Sequence, residues 1–266
     1  MNDHSARTVF ARRPARVVAA VVLGSALLLG VAGCGGSADV AGAPVERAEF
    51  GVVGKVLTVD VGDSDVEIVS ADVTDVRVSR QVDGWALFGS GPDASWRMEK
   101  DRLTLRVDCD GLGHCAARHT VQVPRDVAVT VEHDNGAVTA SGFRTDLKIS
   151  TDNADVTVRD TTGDLRLESD NGSIVAEGIT AAKVRAETDN GKVRIGFKEG
   201  AKAQQVEAVS DNGDIVLELA RDGAPYAVTA KSTNGKRRVD VPTDGDSPRV
   251  VKAANDNGNV TIRLAG

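Results

Sequence analysis

The feature that most constrains this chain is a four-residue phrase, a polar residue followed by Asp-Asn-Gly or a close variant, which occurs seven times after residue 132. Successive copies begin about 18 to 23 residues apart. The copies are HDNG at 133, TDNA at 151, SDNG at 169, TDNG at 188, SDNG at 210, STNG at 232 and NDNG at 255. A period of this size is typical of solenoids and other repeat architectures.

Between the copies, apolar residues alternate with polar ones. Val156 and Val158 follow one copy, and Leu165 and Leu167 precede the next. Alternation with period two in a Val- and Ile-rich sequence predicts β-strands. Each repeat is therefore two short strands and two turns, and it must stack on its neighbours to bury an apolar face. The sequence predicts an all-β, single-coil β-solenoid with about 18–23 residues per rung.

Composition agrees with a narrow solenoid. Of 266 residues, 41% are hydrophobic but only 3% are aromatic, which predicts a thin aliphatic core. The formal net charge of -7 argues against a nucleic-acid partner, because binding to phosphates requires a basic face.

The first 33 residues are typical of a secretory signal peptide, with an apolar run after a basic segment. An uncleaved membrane anchor is the alternative. The run ends in Val31-Ala32-Gly33-Cys34, which resembles a bacterial lipobox. By that resemblance Cys34 is acylated and becomes the first residue of a mature chain with net charge -10. Residues 34–47, rich in Gly, Ala, Ser and Pro, are predicted to be a flexible tether.

This N-terminus predicts an exported protein that is lipid-anchored to the outer face of the bacterial cell membrane. Several acyl chains hold a protein firmly, whereas one holds it only marginally. The membrane is therefore the first expected partner.

Residues 48–125 are predicted to form an N-terminal β region. The turn GDSD at 62–65 is a degenerate copy of the phrase. The rhythm breaks between 81 and 101, a segment that contains Trp85 and Trp96. This segment is either a cap over the open end of the solenoid or an exposed recognition loop for a glycan or a protein.

Cys109 and Cys115 flank one turn between two alternating strands. In an exported chain this pattern predicts a disulfide that closes a hairpin. A zinc site is the alternative, since His114 and His119 are close in sequence.

The order of these features is a lipobox, alternating strands, a Trp-containing break, a Cys-x5-Cys turn, the strand 120–124 ending in Val-Pro, and repeated DNG turns. It resembles the bacterial β-strand-repeat lipoprotein family called putative adhesins, a DUF4097-like domain of unknown function. The resemblance covers roughly residues 50 to 264. It implies a β-solenoid in the cell envelope and no enzymatic activity, and it supplies no catalytic residues and no cofactor.

Residues 126–266 are predicted to be the solenoid repeats. Period two places the first residue and the Asn of each phrase inward and the Asp outward. Stacked Asn side chains can bond amide to amide and adopt the left-handed turn, and Gly supplies a second positive φ. Ala154, the one non-Gly residue at the fourth position, is expected to be the most strained corner. The predicted ladder comprises Asn135, Asn153, Asn171, Asn190, Asn212, Asn234 and Asn257.

The outward Asp residues form the second predicted row, and with Trp85 and Trp96 they are the candidate partner face. Their carboxylates either accept backbone N–H bonds within their own turns or bind calcium or a cationic partner. The row comprises Asp134, Asp152, Asp170, Asp189, Asp211 and Asp256.

Two departures mark the C-terminal end of the repeats. The turns at 221–225 and 242–248 are longer than the others, and Arg237 occupies a slot filled elsewhere by Val or Ile. A charge there requires a partner or an open end. The last rung, from residue 255, is expected to be a half-turn with an exposed edge.

Three classes of function compete. The first is a non-enzymatic envelope module that binds or spaces a glycan, a protein or a signalling partner. The second is a polysaccharide-acting β-helix enzyme with paired carboxylates, which the equivalence of the repeated Asp positions disfavours. The third is a calcium-stabilised repeat, but the expected GGxGxD spacing is absent. The first class is predicted, without a catalytic residue, a metal site or a cofactor.

Overall fold

The computed structural model describes residues 40–89, 91–109 and 112–266. The predicted signal peptide and Cys34 lie outside the described residues. Within them the chain forms a short 3-10 helix, Val40–Gly42, and 21 β-strands in two sheets. These residues include no helix of the length and hydropathy needed to cross a membrane.

The strands of the N-terminal region precede the first DNG phrase. They are Val45–Phe50 (β1), Val56–Asp63 (β2), Asp65–Ala71 (β3), Val76–Ala86 (β4), Pro92–Glu99 (β5), Arg102–Cys109 (β6) and Gly113–Pro124 (β7).

The strands of the repeat region alternate between a longer strand that ends in a phrase and a shorter strand that follows it. They are Ala128–Asn135 (β8), Val138–Ser141 (β9), Leu147–Asn153 (β10), Val156–Arg159 (β11), Leu165–Asn171 (β12), Ile174–Ile179 (β13), Lys183–Asn190 (β14), Val193–Phe197 (β15), Gln205–Asn212 (β16), Ile215–Leu219 (β17), Ala227–Asn234 (β18), Arg237–Asp240 (β19), Val250–Asn257 (β20) and Val260–Leu264 (β21).

Each rung contributes one strand to each sheet, and the rungs stack through parallel pairing. The first sheet has the order β1-β4-β7-β3-β9-β11-β13-β15-β17-β21-β19, and the second has the order β18-β20-β16-β14-β12-β10-β8-β2-β6-β5. This is the predicted β-solenoid, which is confirmed.

The core lies between the two sheets and is built from columns of aliphatic side chains. In one rung Leu165, Leu167, Ile174 and Ala176 are all buried, and their register partners in the next rung are equally apolar. Removing a Val, Leu or Ile side chain from water contributes about 1.5–3 kcal/mol. Since every rung repeats the pattern, the core is continuous along the stack.

The N-terminal end of the stack is closed by strands that reverse direction. β6 and β7 form a rung parallel to β2 and β3, whereas β4 and β5 pair antiparallel outside them. β5 and β6 form a true hairpin through Lys100 and Asp101, both of which have positive φ. β1 covers β4. The predicted tether is therefore too long, because residues 45–47 already pair with β4 and residues 40–42 form the 3-10 helix.

At the C-terminal end the rungs do not follow chain order. The last rung, β20 and β21, lies between β16/β17 and β18/β19. The expectation that the last rung has the exposed edge is thus wrong, because β18 and β19 are the edge strands. Arg237 lies in β19, in a slot that faces the core. Because β19 is at the open end of the stack, the side chain is exposed, as its charge requires.

The long turns at 221–225 and 242–248 connect β17 to β18 and β19 to β20. They carry the chain past the rung that is inserted out of order. Arg249, just before β20, is buried, and its guanidinium lies 4.0 Å from the centre of the Tyr226 ring. It pairs with Asp222 at 2.7 Å and donates from Nε to the carbonyl oxygen of Ala203 at 2.9 Å. The Arg249 hydrogen bond lowers the pKa of Asp222, and burial raises that of Tyr226. One side chain therefore fixes both crossing turns.

Because each rung contacts only its neighbours, whole rungs should be removable. Deletion of residues 165–183 removes β12 and β13 and brings Val184 to the place of its register partner Leu165. We expect the shortened chain to keep a cooperative, β-type thermal transition by circular dichroism, at a lower melting temperature.

The matched control deletes only residues 165–173, which removes β12 and leaves β13 without the other strand of its rung. This half-rung deletion should abolish the cooperative transition. A half-rung variant that melts like the full-rung variant would contradict the stacked-rung architecture.

Candidate functional site

The first residue of six of the seven phrases bonds to a backbone carbonyl of the preceding rung in space. Ser169 Oγ donates to the carbonyl oxygen of Ala154 at 3.0 Å, and Thr188 Oγ1 donates to that of Gly172 at 2.8 Å. The same contact joins Ser210 to Gly191, Asn255 to Gly213 and Ser232 to Gly258. These donors satisfy carbonyls that the stacked corner shields from water.

The asparagines form the predicted amide ladder but do not point inward. All seven are exposed, because the strand ends at the Asn and its side chain projects from the corner. Five of the seven side chains donate from Nδ2 to the asparagine Oδ1 of the neighbouring rung, at 2.9–3.1 Å. The bonds are Asn171 to Asn153, Asn190 to Asn171, Asn212 to Asn190, Asn257 to Asn212 and Asn234 to Asn257. Asn135 donates instead to Asp63 at 2.6 Å.

Glycine is required at the fourth position by close packing of the backbones. A Cβ added to Gly191 would lie 2.1 Å from the carbonyl oxygen of Gly172, and one added to Gly213 would lie 1.9 Å from that of Gly191. Of the phrase glycines only Gly136 and Gly258 have positive φ. Steric exclusion, rather than backbone conformation, therefore explains most of the glycines.

The expected strain at Ala154 is absent. Its φ is not positive, nor is that of any phrase asparagine, so neither residue type adopts the predicted left-handed turn. The Ala154 side chain is buried, and its carbonyl oxygen accepts the Ser169 hydroxyl as the glycines do in their rungs.

A further row of contacts, at the residue after the phrase, was missed by sequence reasoning. Asp155 Oδ1 accepts from the backbone N–H of Ser173 at 2.7 Å, and Asp214 Oδ1 accepts from that of Asn259 at 2.8 Å. Asp65, Ser173 and Asn259 accept in the same way from Ala137, Lys192 and Lys236. The available signal was the recurrence of a short polar residue at this position.

The outward Asp row is exposed along its whole length. Asp256 Oδ1 accepts from Thr233 Oγ1 at 3.1 Å. In the described part of the chain the carboxylates of Asp152, Asp170, Asp189 and Asp211 make no hydrogen bond or ion pair. The predicted bonds within their own turns are therefore absent. Full hydration limits the repulsion between neighbours to about 1 kcal/mol.

Cys109 and Cys115 are joined in a disulfide with a Cα–Cα distance of 6.1 Å, as predicted. The predicted hairpin is wrong, because β6 and β7 belong to different sheets and the disulfide closes the corner between them. The alternative zinc site does not fit this geometry, because the disulfide leaves no free thiolate and His119 is buried against Ser64. Across residues 40–89, 91–109 and 112–266 no group of three or more His, Cys, Asp or Glu side chains could hold a metal ion.

Two buried histidines meet at Ser64, where the first rung turns. His119 Nδ1 lies 3.0 Å from Ser64 Oγ. His133 donates from Nε2 to the Ser64 carbonyl oxygen at 2.8 Å, and its Nδ1 accepts from Thr151 Oγ1 at 3.3 Å. Burial lowers the pKa of His119 to about 4, with a further contribution from the positive charge of Arg80.

The pKa of His133 is also lowered by burial. Its bond to the Ser64 carbonyl and the nearby Asp134, Asp65 and Asp63 act in the opposite direction. Both imidazoles are therefore neutral at pH 7 and belong to the core rather than to a catalytic site.

The Trp-containing segment has a part that packs on the core and a part that is exposed. Trp96 packs against the core at the N-terminal end, and the guanidinium of Arg80 lies 4.0 Å from the centre of its ring, so this residue belongs to a cap. Trp85 is 53% exposed. Leu87, Phe88 and Leu112 are 65–71% exposed beside it, and the Leu87 N–H donates to the Leu112 carbonyl oxygen at 2.7 Å. We call Trp85, Leu87, Phe88 and Leu112 the apolar tip.

A comparison with known protein families identifies the repeats. Residues 119–263, more than half of the chain, match the family described as Toastrack DUF4097. The chain belongs to the Toastrack DUF4097 family. The matched residues of this Toastrack chain begin in β7 and include every phrase, whereas the apolar tip precedes them.

Two solved structures are similar to the Toastrack chain. One is described as a "putative cell adhesion protein" from Clostridium sporogenes ATCC 15579, with 10% identity, a TM-score of 0.35, and coverage of 84% of this chain and 99% of that chain. The other is described as a "putative adhesin" from Bacteroides fragilis NCTC 9343, with 15% identity, a TM-score of 0.37, and coverage of 83% and 97%. No curated protein matches the chain.

The corner glycines generate a prediction about stability. Gly191→Ala should lower the free energy of unfolding by roughly 2–4 kcal/mol, because the new Cβ would collide with the backbone carbonyl of Gly172 in the preceding rung. Urea denaturation measures the change. Gly223→Ala is the control, since Gly223 has a φ of 76° but open space around it and should cost only about 1 kcal/mol. Equal losses would show that conformation, not packing, selects glycine.

The buried histidines generate a prediction about pH. In the unfolded chain a histidine binds a proton below about pH 6.5, whereas folded His119 does so only near pH 4. The unfolded state thus binds more protons, and stability falls as pH drops through this window. His119 alone accounts for up to about 3 kcal/mol. Urea denaturation at pH 7.5 and at about pH 4.5 measures the difference.

His119→Gln should reduce this pH dependence. So should His133→Thr, which restores the residue type found at 151 and 188. His114→Gln is the control, since His114 is exposed. If the His114 variant changed the pH dependence as much as the buried-site variants, the assignment to the Ser64 cluster would be wrong.

Proposed function

We propose that this Toastrack chain is a non-enzymatic lipoprotein of the bacterial cell envelope whose β-solenoid is a rigid, adhesin-like module for surface binding or spacing. The observation that carries the proposal is that the repeated phrase makes contacts between rungs. Its first, third and fourth residues are engaged between rungs, through the hydroxyl donors, the amide ladder and the close backbone contact.

The same observation supports a role without catalysis. An acid and a base that act together need dissimilar surroundings. The row from Asp134 to Asp256 instead places its carboxylates at equivalent, exposed corners. A surface of this kind suits recognition over an extended area better than chemistry at one point.

The dimensions suit a spacer. Nine stacked rungs and the antiparallel layer of β4 and β5, at about 4.8 Å per step, give a length of about 45 Å. Parallel pairing and the continuous core make the stack stiff along its axis. Attachment at one end would hold the other end well away from the surface, where a glycan or another envelope protein is the proposed partner.

Anchoring through Cys34 follows from the lipobox resemblance. Acylation of this residue would place the protein on the outer face of the cell membrane. The described residues begin at Val40, six residues later, so the solenoid would be held close to its anchor.

Cys34→Ala should release the full chain from the membrane fraction or leave an unprocessed precursor, because the acylated residue is lost. Fractionation and metabolic labelling with a fatty acid measure this. The matched control is Cys109→Ser with Cys115→Ser, which removes the other two cysteines and should leave retention unchanged. A Cys34→Ala chain that is processed and retained like the parent would overturn the anchoring.

The binding role is tested with cells that express the parent or the Cys34→Ala chain, of which only the parent should be displayed. Display should increase attachment to surfaces coated with envelope polysaccharide or with partner cells. Equal attachment by both sets of cells, with equal expression, would contradict the adhesin-like role without affecting the anchoring result.

A further inference from the structure

We propose that the apolar tip inserts into the surface of the lipid membrane to which the chain is anchored, as a second contact that fixes the orientation of the solenoid. This inference deepens the proposed function and rests on anchoring through Cys34. It identifies a binding surface on the chain and gives its ligand as the interfacial region of a phospholipid bilayer.

The first argument is the concentration of exposed apolar side chains. Among the described residues, every exposed Trp, Leu and Phe belongs to the apolar tip. The other large exposed apolar residues are four valines at separate places: Val45, Val53, Val56 and Val239. Clustered exposed apolar residues mark a surface that docks on a partner or a membrane.

The second argument is the direction in which the N-terminal chain leaves the fold. β1 is antiparallel to β4, with Val45 opposite Gln81. The Gln81 side-chain amide donates to the carbonyl oxygens of Val40 and Ala43 at 3.0 and 3.1 Å. Val40 is buried and so fixed beside β4. β4 continues from Gln81 through Trp85 to Ala86 and so leads into the apolar tip.

The third argument is distance. Five residues of β4 separate Gln81 from Ala86, which is about 17 Å in a strand. Six residues separate Cys34 from Val40, and they can span at most about 21 Å. A lipid at Cys34 would therefore hold the N-terminal end of the solenoid within reach of the bilayer. The tip and the anchor can then lie at the same surface.

The residue types select the lipid interface over a strongly charged partner. Trp is enriched where headgroups meet hydrocarbon, and Leu and Phe supply the apolar contact below it. The exposed charged residues on the neighbouring strands include Asp83, Asp93 and Asp108. Insertion therefore depends on apolar contact and should not require anionic lipid or low ionic strength.

The test uses the lipidated full chain reconstituted into phosphatidylcholine vesicles whose acyl chains carry bromine, which quenches Trp fluorescence on contact. The chain has two tryptophans, so the signal lost in a Trp85→Phe variant is that of Trp85. We expect Trp85 emission to be blue-shifted and quenched at both low and high ionic strength.

The variant Leu87→Ser with Phe88→Ser should remain in the vesicle fraction but lose the quenching of Trp85. Val53→Ser is the matched control, because Val53 is 98% exposed and is not part of the apolar tip. It should leave the quenching unchanged. Thermal melting by circular dichroism verifies that all variants are folded.

The outcomes separate this inference from the proposed function. Retention in the vesicles with unquenched, solvent-like Trp85 overturns the insertion and leaves the anchor standing. Retention that does not depend on Cys34 overturns the anchor and the distance argument together. Shielding of Trp85 in native membranes but not in protein-free vesicles would make a membrane protein the partner and overturn the lipid assignment.

Discussion

The corners of the solenoid bring the backbones of successive rungs so close that only certain side chains are compatible with them. At Gly191 even one added carbon would lie 2.1 Å from the carbonyl oxygen of the rung before. That carbonyl is Gly172, which already accepts the Thr188 hydroxyl. The same contact explains the glycine and the small hydroxyl residue, and it holds the rungs in register. It adds a side-chain constraint to the backbone pairing that spaces the strands, the aliphatic columns and the amide ladder.

Several features could be predicted from the sequence because they depend on residues close together in the chain. Period two identified Leu165 and Leu167 as core residues, and the two cysteines around one turn indicated their disulfide. The asparagine ladder was also predictable, since identical amides at strand spacing bond to one another. Its outward orientation was not, because alternation ends where the strand ends. The role of Gly191 was hidden for a related reason, since close approach to another rung leaves no local pattern.

The order in which the rungs stack could not be predicted from the sequence. Each phrase resembles the others, so nothing in a single repeat states which repeat it contacts. The first rung, β2 and β3, lies next to β8 and β9 although the whole N-terminal cap intervenes in the chain. The second exchange is fixed by Arg249, whose partners Asp222 and Ala203 belong to two different turns. Only the long turns at 221–225 and 242–248 indicated it in advance.

Arg237 shows why the second exchange is physically favoured. Its register partner Val260 is fully buried, so Arg237 occupies an inward slot. Between two rungs a guanidinium there would lose its hydration, at a cost of several kcal/mol without a paired carboxylate. At the end of the stack the same side chain is exposed and donates to the carbonyl oxygen of Ala230. The last rung, with buried Val260 and Ile262, takes the interior place instead. In the first sheet the edge left outside is the four-residue β19, and a short strand with two arginines is poorly suited to pair with another chain. The charge of Arg237 thus favours the terminal place for its rung, and Arg249 holds the turns that leave it there.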